Sequence, residues 1–363
     1  MTGGAAPAGA PSPARLDGLD VLRGLTVAGM LVVNTPGTWD HVYPPLLHAE
    51  WNGWTYTDTI FPFFLFIVGV SMEISFARRG AGGATRADLL RHTAARGAAI
   101  FGIGLALNAL SFVLFHKEHL RIPGVLQRIG VCFLAAGLIR LLLGRRGVFP
   151  AAVTLVLLYW ALMKLVPVPG FGAGRLDVEG NLAAWVDRAV LGAHTWKPGW
   201  DPEGPLSTLP ATATTLFGAM AGALLTARME LRRKIPALLA AGVAGAVVGA
   251  LWGTVFPINK NLWTSSYAVF MAGLAAVSLA IGLWIVDARG WKAWAAPFRW
   301  LGRNALAIFT LSLLAVLMLL WIKVPDAAGK PRSLYSTIYR TVFDRFADPR
   351  LGSLLFALAF LAV

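Results

Sequence analysis

The chain has 363 residues, of which 57% are hydrophobic and only 14% charged, with a net charge of +14. Its mean hydropathy is +0.65, whereas a soluble domain carries about 25% charged residues; a water-soluble globule is excluded. Nucleic-acid binding is not the reading of the positive charge either, because the basic residues sit in short connections between apolar runs, where membrane orientation asks for them.

In chain order, residues 1–14, "MTGGAAPAGAPSPA", form a low-complexity tail expected to be disordered. Residues 15–363 are expected to form one transmembrane domain. Apolar runs lie near 19–34, 60–77, 97–115, 122–143, 148–167, 208–227, 235–256, 265–286, 300–322 and 351–363. Roughly 20 apolar residues span a bilayer as helix. Backbone groups in lipid must satisfy one another, and no short alternating segments of a barrel are present. The expected class is therefore an all-α polytopic membrane protein, a bundle of about 10–11 transmembrane helices. The first run is followed by "NTPGTWD", with no small-residue cleavage site, and reads as a retained helix. The last run is too short to span alone.

Lysine and arginine set the orientation. With the N-terminus cytoplasmic, inner connections carry clusters such as Arg78, Arg79, Arg86, Arg91 and Arg96, while the short outer loops hold only Lys117, Arg121 and Lys260. Outside then lie segments 35–59, 168–207 and 323–350 and the connection "FPINKNLW". Within 323–350, "SLYSTIYRTVFDRFA" repeats its apolar residues every three to four, as an amphipathic surface helix does.

The unusual polar residues gather on that side. Asn34 ends the first run before Pro36, Asp58 opens the second, and His48 lies in the loop between them. A histidine beside a carboxylate is the arrangement of an oriented general base; equally, Asp58 is placed to cap its helix, with Pro62 tolerated in the first turn. Asp201 and Glu203 in "DPEGPLSTLP" stand before the sixth run, either to receive an amine or sugar hydroxyls or as part of a helix start. Arg128, about two turns into its run beside Gln127, is costly in a membrane and by default functional. Asp20 and Arg23 are spaced to pair along one helix face. Glu73 is read as nearing the inner surface. Lys260 and Asn261 stand at the mouth of the eighth run, and Trp263 beside them fits the ordinary interfacial belt. Cys132, the lone cysteine, excludes an intrachain disulfide, and no Cys/His spacing points to a metal.

Eight stretches in order, among them "LDVLRGLTVAGMLVVNTPG", "HAEWNGWTYTDTIFPFFLFIVGVS", "RIPGVLQRIGV", "WDPEGPLSTLPA" and "FPINKNLWTSSY", resemble the heparan-α-glucosaminide N-acetyltransferase family of transmembrane acyltransferases. The resemblance runs over about residues 15–363. It implies acetyl transfer from cytosolic acetyl-CoA, across a bilayer, to the amine of a glucosamine-type sugar or glycan. It places the active-site histidine on His48 and its neighbours on Asn34 and Asp58. Arg128, Gln127 and Arg23 are then expected to bind acetyl-CoA, and Asp201, Glu203, Lys260 and Asn261 the acceptor, with no metal. The resemblance further implies a homodimer, and the setting is read as a bacterial inner membrane. Two rivals remain: a sugar carrier without chemistry, and an O-acetyltransferase of a cell-surface polysaccharide. Direct transfer and a covalent acetyl-His48 also stay open.

Overall fold

A computed structural model describes residues 16–326 and 328–363; the tail 1–14 lies outside them. Helix α1 (Asp17–Asn34) is followed by a loop with one 3₁₀ turn, then α2 (Tyr56–Ala81), α3 (Arg86–Leu114) and α4 (Val125–Leu165). A long segment carrying the short α5 (Leu182–Leu191) leads to α6 (Thr208–Thr226), α7 (Leu231–Trp252) and α8 (Ser265–Gly282), which ends in a π-helical turn. Then come α9 (Ala296–Arg303) and α10 (Ala305–Trp321), a small hairpin of β1 (Lys323–Pro325) and β2 (Pro331–Ser333), α11 (Leu334–Ile338) and α12 (Pro349–Ala362).

The expected all-α polytopic class holds, and each of the ten apolar runs overlies a helix. Among the described residues six helices are long and apolar enough to cross a membrane, or seven if α9 and α10 make one bent span. This is fewer than the ten or eleven expected, for identifiable reasons. The 41 residues of α4 would measure ~60 Å as one rod, about twice the hydrocarbon thickness. They are two expected runs joined at Gly144, whose φ of 69° breaks the helix in a region that favours glycine. Helix α1 carries Asp17, Asp20 and Arg23 within 18 residues, and α12 has only 14. The run 300–322 bends by 83° between α9 and α10.

Small residues let the central helices touch. A Cβ at Gly69 of α2 would meet the Thr215 carbonyl of α6, and one at Gly218 of α6 the Phe66 carbonyl of α2. In lipid, where burying apolar surface drives little association, such close backbone packing holds helices together. Glu73, expected near the inner surface, is fully buried in α2. It accepts from Arg140 Nε and Nη2 at 2.7 and 3.1 Å and from Arg145 Nε at 2.7 Å. Those arginines stand on either side of the Gly144 break, so one carboxylate clamps both arms of α4 against α2.

The expected surface helix over 333–347 forms in shorter pieces. Helix α11 passes into a π-helical turn (Tyr339–Phe343), and Tyr335, Tyr339 and Phe343 all pack on Phe356 of α12. The Tyr335 hydroxyl donates to the Pro36 carbonyl at 2.7 Å. This side of the segment thus packs on protein, while Val342 and Phe346 remain exposed.

Candidate functional site

His48 and Asp58 come together because one loop returns on itself. Thr55 is the N-cap of α2, and its backbone N–H donates to Asp58 Oδ2 at 3.0 Å, closing a capping box. The Ala49 N–H donates to the same oxygen at 3.0 Å. Asp58 Oδ1 is left for His48 Nδ1, 2.6 Å away. The two sequence readings of Asp58 are therefore both true: one oxygen caps the helix and the other holds the imidazole. The Asp58 side chain is 1% exposed and that of His48 51%. A buried acceptor on Nδ1 puts the proton there and leaves Nε2 with its lone pair at an open face.

His48 lines a cavity of about 410 Å³ together with Asn34, Asn108, Arg121, Gln127, Glu203 and Lys260. The loop 256–264 reaches this cavity because it is stapled to the His48 loop. Gly53 N–H donates to the Ile258 carbonyl at 2.7 Å, and the Asn259 side-chain amide to Asn52 Oδ1 at 3.2 Å. Arg121 binds Asp201 through Nε and Nη2 at 2.8 and 2.7 Å and also reaches Glu203 through Nη2. Burial pushes the Glu203 carboxyl up, but Arg121, Lys260 and Arg128 outweigh it and hold it below the ordinary glutamate value.

A second cavity, of about 360 Å³, opens toward the other end of the bundle. Its polar lining includes Arg23, Ser71, His92, Arg96 and Arg303, and the rest is mostly aliphatic and aromatic. Arg23 is fixed by Asp20 at 3.1 Å, as its spacing predicts, and by Ser71 Oγ at 2.7 Å. Met30, Phe64, Val125, Leu126 and Phe309 line both cavities. The two cavities are therefore neighbours, with these side chains between or beside them.

The structure gathers Asn34, His48, Gln127, Glu203 and Lys260 at one cavity and sets Arg23 at the other. Gln127, expected at the cofactor with Arg23, therefore stands with His48 instead. Arg128 lines neither cavity: it is buried, donates from Nη2 to the Gly204 carbonyl and Ser207 Oγ, and lies 5.3 Å from the Trp263 ring. Trp263 is accordingly buried, not part of an interfacial belt, and takes a φ of 49° to seat there. Asp201 and Asn261 line neither cavity; both oxygens of Asp201 are taken up by Arg121. Arg121 and Asn108 were not singled out in the sequence. Arg121 sits inside "RIPGVLQR", but its partners lie 80 and 82 residues away. Among the described residues no three His, Cys, Asp or Glu side chains gather as a metal site would require.

A family model described as heparan-alpha-glucosaminide N-acetyltransferase, catalytic, matches residues 15–249. Two curated relatives named heparan-alpha-glucosaminide N-acetyltransferase, one from Homo sapiens and one from Mus musculus, are each 28% identical to the chain. The matches cover 82% and 81% of this chain and 52% and 53% of those proteins, so the chain spans about half the length of the curated relatives it matches. With more than half of its residues matched by that family model, the chain belongs to the heparan-alpha-glucosaminide N-acetyltransferase catalytic family.

Proposed function

We propose that the protein is a transmembrane acetyltransferase that moves acetyl from acetyl-CoA to the amine of a glucosamine-type sugar on the opposite side of the membrane. The observation that carries this reading is the meeting of two unlike cavities along shared walls. One has basic side chains around an apolar throat, suited to the phosphates and the thin pantetheine arm of the donor. The other presents an oriented imidazole and several hydrogen-bonding groups. The basic end would face the cytosol, in keeping with the clustering of arginine in the connections at that end.

In this mechanism Asp58 holds the proton on His48 Nδ1. His48 Nε2 takes a proton from the acceptor amine as the amine attacks the thioester carbonyl. The C–S bond then breaks, and the same proton passes to the leaving sulfur, so the donor departs as free CoA. Asn34 would donate to the developing oxyanion, a role that lowers a barrier by about 3 kcal/mol. Arg23, which the sequence reading placed at acetyl-CoA together with Arg128 and Gln127, would bind the phosphates with Arg96 and Arg303 of the same cavity.

Purified protein supplied with acetyl-CoA and glucosamine should release free thiol, and His48→Ala should abolish the release. Retained turnover in that variant ends the proposal. Two adjoining cavities would also suit one rival, a sugar carrier. Sugar uptake into proteoliposomes with no thiol from any amino sugar would put the carrier in its place.

A further inference from the structure

A third cavity, of about 360 Å³, opens between α1, α2 and α8 on another face of α2 from the His48 site. Thr57 and Phe61 line the His48 cavity, whereas Tyr56, Thr59 and Phe63 line this one, and Ile60 lines both. Its walls are largely hydrocarbon, from Val21, Leu25, Phe63 and Ile281. The Thr26 and Thr59 hydroxyls are turned back onto the Leu22 and Tyr56 carbonyls, each at 2.7 Å. Along α1 the groove runs from Val21 to the level of Gly29, where the Tyr56 hydroxyl stands. That stretch of helix measures ~12 Å, close to the ~15 Å of hydrocarbon in one leaflet.

The other end of the groove lies among the exposed indoles of Trp284, Trp291 and Trp294, the last of them part of its lining. Tryptophan settles at the headgroup level of a bilayer. Arg289 stands there, 5.0 Å from the Trp284 ring. The acids nearby are engaged with other groups. Asp287 accepts from the Asp17 and Gly18 N–H groups, and Asp17 is shared by Lys292, Arg299 and Arg303. Asp20 holds Arg23 and Arg303. Among the described residues Arg289 has an indole face and no carboxylate partner.

We infer that this groove is a binding site for one anionic phospholipid, with an acyl chain along α1 and α8 and the phosphate on Arg289. An apolar groove alone accepts any chain of the right length. The guanidinium adds the choice of headgroup, because a net negative lipid gains a charge-assisted hydrogen bond that a zwitterionic one must share with its own cation. Depth and charge agree: the hydrocarbon walls span one leaflet, and the cation stands where that leaflet's headgroups lie. A seated chain also supports Ile60 from behind, two residues along α2 from Asp58. The lipid site does not depend on the acetyl-transfer reading.

The test uses the purified full chain in phosphatidylcholine nanodiscs doped with a photoreactive lipid that carries a diazirine on one acyl chain. The headgroup of that probe is either phosphatidylglycerol or phosphatidylcholine. After illumination, labelled peptides are mapped by mass spectrometry. Label should concentrate on residues 21–26, on Phe63 and on residues 278–285. The anionic probe should label them about fivefold more than the zwitterionic one, as a single cation near the headgroups gives. Arg289→Gln should bring that ratio close to one while label stays in the groove. Ile281→Trp, at a half-exposed position, should fill the groove and remove the label of both probes from it. Label spread evenly over the lipid-facing helices, equal labelling by the two probes, or a preference that survives Arg289→Gln overturns the inference. Cross-links between the grooves of two chains, in place of lipid label, give this face to a second copy and overturn it as well.

Discussion

The Tyr267 hydroxyl donates to the Asp58 carbonyl at 2.6 Å, across a sequence separation of 209 residues. That carbonyl is the one that residue 62 would bond four residues on in a regular helix, and residue 62 is a proline without an N–H. Helix α2 begins at Tyr56, so Pro62 lies in its second turn, beyond the first turn where proline is harmless. A buried tyrosine of α8 thus fills the vacancy that Pro62 leaves directly above the residue that orients His48. Tyr267→Phe should leave a buried carbonyl without a donor, at a cost of about 1–3 kcal/mol, and should lower both the melting temperature and turnover. Pro62→Ala restores an N–H to that carbonyl. The double variant should therefore recover much of the loss, and strictly additive effects in the cycle would show that the two groups do not share the bond.

Asp58 has two tasks, one for each oxygen. Asp58→Asn keeps one oxygen to accept from His48 Nδ1 but removes the charge that stabilises the imidazolium. Turnover should fall about a hundredfold or more, with KM for the acceptor little changed. With its one oxygen on His48, the asparagine sets its NH2 against the Thr55 and Ala49 N–H groups and weakens the cap as well, while Asp58→Ala removes both acceptors and should lower turnover further. An asparagine variant with wild-type kcat would show that the His48–Asp58 contact serves the helix end alone.

What the chain shows as sequence, and what it hides, follows from distance along it. His48, Asp58 and Asn34 flank one loop, so their neighbourhood was legible from local signals. The ten apolar runs were legible because lipid forces an unbroken apolar stretch into helix. The 83° bend between α9 and α10 was not, since "LGRNALAIF" contains no proline and its apolar pattern continues through Asn304. Arg128 drew notice because an arginine in an apolar run is costly. Its contacts with a carbonyl, a hydroxyl and an indole face, which leave Nε and Nη1 without a hydrogen-bond partner, could not be read, because those partners come from other helices and loops. Arg121 was hidden for the opposite reason: an arginine in a short loop is ordinary, and only folding brings it against Asp201 and Glu203.

The Glu73 clamp predicts an asymmetric response. Glu73 and Arg140 are 1% and 17% exposed, whereas Arg145 is 47% exposed. Glu73→Gln leaves two cations without their counter-charge, one of them nearly buried, and breaking a buried pair from one side costs about 3–5 kcal/mol before relaxation. The melting temperature of the detergent-solubilised protein should drop sharply. Arg145→Met should change it little, because a half-exposed partner is screened by water. Equal effects of the two substitutions would mean that the break at Gly144 does not depend on the buried half of the clamp.

Asp187 in α5 supplies the pH dependence. Burial pushes its carboxyl up to about 7, and the Asp201 charge adds to this, while the Asp201 N–H, Arg128 and Arg188 act against it. Its Oδ2 accepts that N–H at 2.9 Å, and its Oδ1 has no partner. The folded state therefore holds a proton that the unfolded chain, with an ordinary aspartate, releases near pH 4. Between about pH 4 and pH 7 the unfolded state binds fewer protons than the folded one, so stability declines as pH rises through this window and levels off above it. The protein should melt at a higher temperature at pH 5 than at pH 8. Asp187→Asn, which cannot ionise, should flatten this part of the profile. Ionised Asp187 would also repel Asp201, and with it the Arg121 bridge to the His48 cavity, so the same substitution should make acceptor affinity less dependent on pH over that range. A melting profile identical in wild type and Asp187→Asn from pH 5 to 8 would show that this carboxyl does not titrate there.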